Sequence, residues 1–322
     1  MKALRILAMS PMLLLAACGA TGTQTSQQTA SSSSAQGTMS VSASFYPIAF
    51  FAEQIGQEHV NVLQVTPSGV EPHDFDPSAQ QLARVNDAKV FLMNGAGVDS
   101  WGDKIIDDLK QSGTVTVRMT DTISPMGGFN EEGFTDPTQP PSSEFSAVPD
   151  PHIWLDPVNA EKEAALIRDA FITADPVHAD AYTSNADSLL ASLRALDQEY
   201  RSGLAHCAIN DVVVSHNAFR YMAQEYGFRT LAISGLTPDE EPSAQRIAEL
   251  ANFAKKNGIK YIFFETLVSP KLSQTVADEI GAQSLVLDPL EGLTDAEAAH
   301  GDNYITLMKN NLQNLRTAMQ CQ

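Results

Sequence analysis

The sequence predicts an α/β fold of two lobes, each with a mostly parallel sheet flanked by helices, joined by one long connecting helix. Strand-like and helix-like runs alternate between residues 41 and 97, the pattern of a parallel sheet covered by helices. The same alternation resumes after residue 205. Between the halves, residues 176–204 carry Tyr182, Leu189, Leu193 and Leu196 at helical spacing, with no interior Gly or Pro before Gly203. The predicted organisation is therefore a first lobe over residues 39–174, a linking helix over 175–204 and a second lobe over 205–322.

In the first half, Val41 to Phe45 is a β-rich run, and Ile48, Phe51 and Ile55 after it are spaced as on a helix. Val60 to Val65 is the next strand, ended by the turn Thr66-Pro67-Ser68-Gly69. A helix is expected from Pro77, with Asp76 as its N-cap and proline at its first position. Lys89 to Met93 is a third strand, closed by Asn94-Gly95-Ala96-Gly97. Residues 125–150 are rich in Pro, Gly and Ser, carry five acidic residues and no basic one, and read as a mobile acidic loop within the first lobe. In the second half, strands are expected at Asp211 to Ser215, Tyr261 to Phe264 and Ser284 to Leu287. Helices are expected at Ala218 to Tyr226, Ser243 to Asn257 and Pro270 to Ile280.

The amino-terminal residues are of another kind. Lys2 and Arg5 precede an apolar run that ends in Leu15-Ala16-Ala17-Cys18, which resembles a bacterial lipoprotein signal and is too short to span a bilayer. Residues 1–17 are thus the expected signal peptide, Cys18 the lipidation site and residues 18–38, mostly Ser, Thr, Gln, Gly and Ala, a flexible spacer. With Cys18 assigned to lipid, the two remaining cysteines, Cys207 and Cys321, are expected to pair in an oxidising compartment.

Composition fits a soluble passenger behind such a tether, with 322 residues, 43% of them hydrophobic, and a net charge of −19. Removal of residues 1–17 takes away Lys2 and Arg5 and moves the charge from −19 to −21. That acidity disfavours nucleic acid and anionic membrane surfaces as partners and attracts cations.

Candidate chemistry sits at strand ends. His73 lies in Glu71-Pro72-His73-Asp74-Phe75, after a strand and turn and before a helix, and His152 in Pro151-His152-Ile153-Trp154-Leu155-Asp156-Pro157, also before a helix. His216 follows Val212-Val213-Val214-Ser215, and Asp288 follows Leu285-Val286-Leu287. Ligands of open α/β sheets bind beyond the carboxyl ends of the strands. A cleft between the lobes would let these four metal-capable side chains converge, two from each half. His59, His178, His206 and His300 have no comparable setting.

From about Met39 to Cys321 the chain resembles the metal-binding solute-binding lipoproteins of bacterial ABC importers that take up zinc or manganese. The segments that carry the resemblance include Ser44-Phe45-Tyr46-Pro47, Glu71-Pro72-His73-Asp74-Phe75, Asn94-Gly95-Ala96-Gly97, Pro151 to Pro157, Ser215-His216-Asn217-Ala218-Phe219, Phe263-Phe264-Glu265, Leu287-Asp288-Pro289-Leu290 and Gly301-Asp302-Asn303-Tyr304. The resemblance implies a metal site in the interlobe cleft, with His73, His152, His216 and Asp288 as ligands. It also implies an ABC permease and its cytoplasmic ATPase as partners, a lipid-anchored extracytoplasmic location and no catalysis. Manganese-type relatives commonly hold a glutamate where this chain has His216. Three imidazoles and one carboxylate suit Zn²⁺, while Mn²⁺ prefers more oxygen donors. Zn²⁺ is therefore the expected cargo and Mn²⁺ the alternative, bound by a monomer.

Glu265, at a strand end in the second lobe, is open to three readings: support for a ligand from behind, which is preferred, an alternative ligand, or a plain strand-end carboxylate. Many zinc-uptake relatives carry a histidine-rich acidic insertion between the first two ligands, but residues 125–150 contain no histidine. Two further classes compatible with these residues are a zinc hydrolase and a surface adhesin. The hydrolase lacks a His-Glu-x-x-His motif, and the adhesin lacks repeats or a binding tract.

Overall fold

A computed structural model describes residues 37–124, 126, 149–238 and 242–322. The signal peptide 1–17, Cys18, nearly all of the spacer 18–38, and the acidic loop 125–150 apart from Met126, Pro149 and Asp150 lie outside the described residues.

The first lobe runs β1 (Met39–Ala43), α1 (Tyr46–Gly56), β2 (Val60–Gln64), α2 (Ala79–Asn86), β3 (Val90–Met93), α3 (Ser100–Asp103), α4 (Ile106–Gln111), β4 (Val115–Arg118) and α5 (Pro157–Ala174). The linking helix is α6 (Ala179–Gly203). The second lobe follows as β5 (Asp211–Val214), α7 (Arg220–Tyr226), β6 (Arg229–Ala232), α8 (Ala244–Asn257), β7 (Tyr261–Phe264), α9 (Lys271–Ile280), β8 (Gln283–Val286), α10 (Asp295–His300) and α11 (Tyr304–Met319). The two sheets are built alike, ordered β2-β1-β3-β4 and β6-β5-β7-β8, with every pairing parallel. In each, strand order reverses between the two central strands, and the crevice beyond their carboxyl ends is where such sheets take ligands.

Side-chain alternation assigns the faces. Val90 and Leu92 of β3, and Val212 and Val214 of β5, face one large core that also takes in Phe45, Trp154, Tyr304 and Leu312. Their alternates turn outward, Phe91 and Met93 into a small cluster with Trp101, and Val213 into another with Leu250 and Ile262. The large core is common to both lobes. α6 contributes Tyr182, Ala186, Leu189, Leu193, Leu196 and Tyr200 to it, the stripe of a 3.6-residue period. Hydrogen bonds reinforce the junction, from Trp154 Nε1 to the Pro289 carbonyl (2.7 Å) and from the Tyr304 hydroxyl to the Trp154 carbonyl (2.6 Å).

Some elements differ from the sequence expectation. The helix expected from Pro77 begins at Ala79 and is capped by Ser78, not Asp76. Ser78 Oγ accepts from the Gln81 amide while Gln81 Oε1 accepts from that of Ser78, a reciprocal pair that Asp76 cannot match. The linking helix is preceded by a 3₁₀ turn at Pro176–His178, because proline fixes the first turn without supplying an N–H. Strands β4 and β6, both at sheet edges and four residues long, were not read from the sequence. Cys207 and Cys321 form a disulfide, which ties the end of α11 to the segment after α6.

Candidate metal centre

Each of three histidines is fixed locally by a carboxyl group before it meets the others. The loop after β2 carries His73, whose backbone N–H donates to Glu71 Oε1 (3.1 Å), so the turn sets the direction of the side chain. His152 lies between β4 and α5, just before the 3₁₀ turn Ile153–Leu155, with its backbone N (3.0 Å) and ring Nδ1 (2.8 Å) both on Asp150 Oδ1. His216 follows β5, one of the two central strands of the second sheet. Its backbone N (3.1 Å) and Nδ1 (2.6 Å) both meet Glu265 Oε1 at the end of β7, and Ser215 Oγ donates to that same oxygen. Engaging Nδ1 leaves Nε2 as the free lone pair on His152 and His216, the arrangement in which carboxylates orient metal-binding imidazoles.

The three Nε2 atoms converge. His152 Nε2 is 3.3 Å from that of His73 and 3.1 Å from that of His216, with ring centroids 5.0–6.0 Å apart and no pair stacked. The fourth donor of the group is Glu291. Its Oε1 lies 3.4 Å from His73 Nε2, 3.5 Å from His152 Nε2 and 3.4 Å from His216 Nε2. Five of the six donor-to-donor edges thus run from 3.1 to 3.5 Å. A regular tetrahedron with edges of that size has its centre about 2.0 Å from every corner, within the bond lengths of ~2.0–2.2 Å that Zn²⁺ makes to imidazole and carboxylate.

Asp288, expected as the carboxylate ligand, does not join this group. It is buried and occupied within its own turn. Oδ1 accepts from the Leu290 amide (2.8 Å) and Oδ2 from Thr266 Oγ1 (3.2 Å), while Asn311 bonds both its backbone N–H and its carbonyl. These bonds hold Leu290 at φ 55°, a left-handed conformation costly for a branched side chain, and the reversal turns Glu291 to the histidines. Asp288 thus builds the turn and Glu291 occupies the position expected of it. Glu291 was missed because nothing in Leu287-Asp288-Pro289-Leu290-Glu291 says which of two carboxyl groups faces inward. The available signal was an acidic residue inside an apolar stretch.

Electrostatics express the same arrangement. Burial alone would depress His216, but the Glu265 and Glu291 carboxyl groups outweigh it and hold the imidazole well above its usual range. At Glu291 burial pushes upward, and His216 with the other two rings outweighs it, keeping the carboxyl well below the usual range. Burial lowers His73, whereas Asp150 and Glu291 overcome burial and raise His152. Glu71 is pushed up to about 9, by burial first and by neighbouring Glu291 second, so it stays protonated and adds no second charge near the donors.

Residues 41–318 match the family described as zinc-uptake complex component A, periplasmic. The high-affinity zinc uptake system protein ZnuA of Bacillus subtilis is 36% identical over 307 residues, which cover 95% of this chain and 94% of that protein. The zinc-binding lipoprotein AdcA of Streptococcus pneumoniae is 38% identical over 284 residues, 88% of this chain but 56% of AdcA, so the chain spans little more than half of that relative. Among solved structures, the Zn(II)-bound ZnuA-like domain of Streptococcus pneumoniae AdcA superposes with a TM-score of 0.74 at 35% identity, covering 88% of this chain and 99% of that domain. Two parallel four-stranded sheets, a helix between them and matches along nearly the whole folded region place the chain in the family of periplasmic zinc-uptake components A.

Proposed function

We propose that the protein captures Zn²⁺ outside the cytoplasm and delivers it to an ABC permease driven by a cytoplasmic ATPase. The observation that carries this reading is the near-tetrahedral group of His73, His152, His216 and Glu291, buried where the two lobes meet and scaled to bonds of about 2.0 Å. Three nitrogens and one oxygen favour zinc over Mn²⁺, which takes more oxygen donors at higher coordination number. The protein acts as a carrier: four protein donors leave no position for the bound water that catalytic zinc sites keep open. Zinc-binding and zinc-uptake names among its relatives support the same cargo. Cys18 would carry the lipid that tethers a monomer to the bacterial membrane, and the strong negative charge draws cations toward it.

The test is metal competition on the purified protein, stripped with a chelator and offered Zn²⁺ and Mn²⁺ in equal amounts. Elemental analysis should find one tightly held zinc per chain, lost in His216→Ala. Preferential loading of manganese would overturn the reading.

A further inference from the structure

His152 is braced from behind by contacts that cross from the second lobe. Asp150, whose Oδ1 holds both the backbone N and the ring Nδ1 of His152, presents its carbonyl to the Tyr221 hydroxyl (3.0 Å). The same hydroxyl oxygen accepts from the Met126 amide (3.1 Å), and Asp150 N–H donates to the Met126 carbonyl (3.3 Å). The other carboxyl oxygen, Oδ2, is buried without a hydrogen bond, and the buried guanidinium of Arg220 stands 3.7 Å from it. Arg220 and Tyr221 open α7, which starts four residues after His216. Neither belongs to the group of four donors. Burial raises the Tyr221 hydroxyl to about 12, so it remains a proton donor at any physiological pH.

We propose that Tyr221 and Arg220 are positioning residues for His152: they fix Asp150, and through it they hold the His152 ring so that Nε2 faces the other three donors. This rests on reading those donors as the zinc site. α7 then belongs to both halves of the site, since the chain that supplies His216 also braces His152 across the lobe junction. Displacing α7 slackens a ligand of the first lobe, so the residence time of the ion depends on contacts that never touch it. Partners that orient metal-bound imidazoles typically contribute about 10–100-fold to metal affinity.

The test compares Tyr221→Phe, Arg220→Gln and Arg220→Lys with the wild type in the full protein. Asp150 and Tyr221 line a cavity of about 280 Å³, so water can replace the lost hydroxyl and Tyr221→Phe leaves the fold intact. Tyr221→Phe should still hold one zinc but release it to a chelator about tenfold faster, with shifted Co²⁺ d–d absorption bands and an unchanged melting temperature of the metal-free protein. Arg220→Gln should behave likewise, and Arg220→Lys should restore most of the wild-type rate. Wild-type release and spectra in Tyr221→Phe would overturn the proposal. Faster release accompanied by a matching loss of metal-free stability and unaltered Co²⁺ spectra would overturn it too, by reducing Tyr221 to a structural role. The ¹⁵N shifts of the His152 ring in metal-free protein read the same bracing without cargo. They should move in Tyr221→Phe, and unmoved shifts would refute the bracing. Failure of the wild type to bind zinc would sink the functional reading alone.

Discussion

Replacing the two neighbouring carboxyl groups of the Asp288–Glu291 turn one at a time should separate the ligand from its support. Glu291 is fully buried and its Oε1 faces three imidazole nitrogens at 3.4–3.5 Å, so Glu291→Gln removes the one anionic donor of the group. Deleting one partner of a buried, charged interaction costs about 3–5 kcal/mol, which corresponds to roughly 10²–10⁴-fold in zinc affinity. Asp288→Asn is a milder change. Burial pushes Asp288 up to about 7, so a neutral side chain resembles one of its two populated forms near neutrality, and an amide oxygen can still accept from the Leu290 amide. Weakening that bond costs about 1 kcal/mol, less than tenfold in affinity. Competition titration against a chromophoric chelator at pH 7.5 measures both. A weak effect of Glu291→Gln alongside loss of binding in Asp288→Asn would refute the assignment and restore Asp288 as the ligand.

Three other outcomes are expected. Glu163 is fully buried, neither carboxyl oxygen has a hydrogen-bond partner, and burial with nearby Asp156 raises it from 4.5 to about 8. The folded state therefore keeps a proton that the unfolded chain releases between pH 4.5 and 8, so stability falls as pH rises through that window, by about 5 kcal/mol in all. Denaturant titrations should show Glu163→Gln gaining on the wild type as pH rises and losing that advantage near pH 4.5; a pH-independent difference would refute this. Replacing Cys207 and Cys321 together by serine opens a loop of 114 residues and should cost about 5 kcal/mol, lowering the melting temperature by about 10 °C while the protein still binds one zinc. Trp154→Phe leaves the Pro289 carbonyl without its buried donor, for about 1–3 kcal/mol of stability, and should weaken zinc binding because Glu291 lies two residues further on; calorimetry and chelator competition check the two effects.

The two lobes and the helix between them were legible because burial leaves a period: Val213 faces one way and Val212 and Val214 the other, and the apolar residues of α6 return every three or four positions. β4 and β6 escaped because Thr and Arg break their apolar pattern, whereas β8, an edge strand of the same length, leads into the apolar run Leu285-Val286-Leu287. His73 and His216 stood out by following strands, and His152 by its place before a helix; the structure brings all three together. The carboxylate was not legible, since the direction of Glu291 depends on Leu290 adopting a left-handed conformation. No Gly or Asn announces that turn. It is fixed largely from outside by Asn311 and Thr266, 21 residues later and 24 earlier in the chain, and within the turn itself only Asp288, which accepts from the Leu290 amide, shares in it.

One core lies under both sheets, and the described residues from 37 to 322 form one compact unit. Separating the lobes would expose Trp154, Tyr304 and the buried stripe of α6 together, so neither sheet keeps its packing once the other is lost. Unfolding should then proceed in one transition, with amides of β1 and β5 exchanging at the same rate in the slowest class. An ion bound by donors from both lobes stabilises the folded state in that one transition by RT ln(1 + [ion]/Kd). Cargo loading is thereby written into the lifetime of every core amide in the protein.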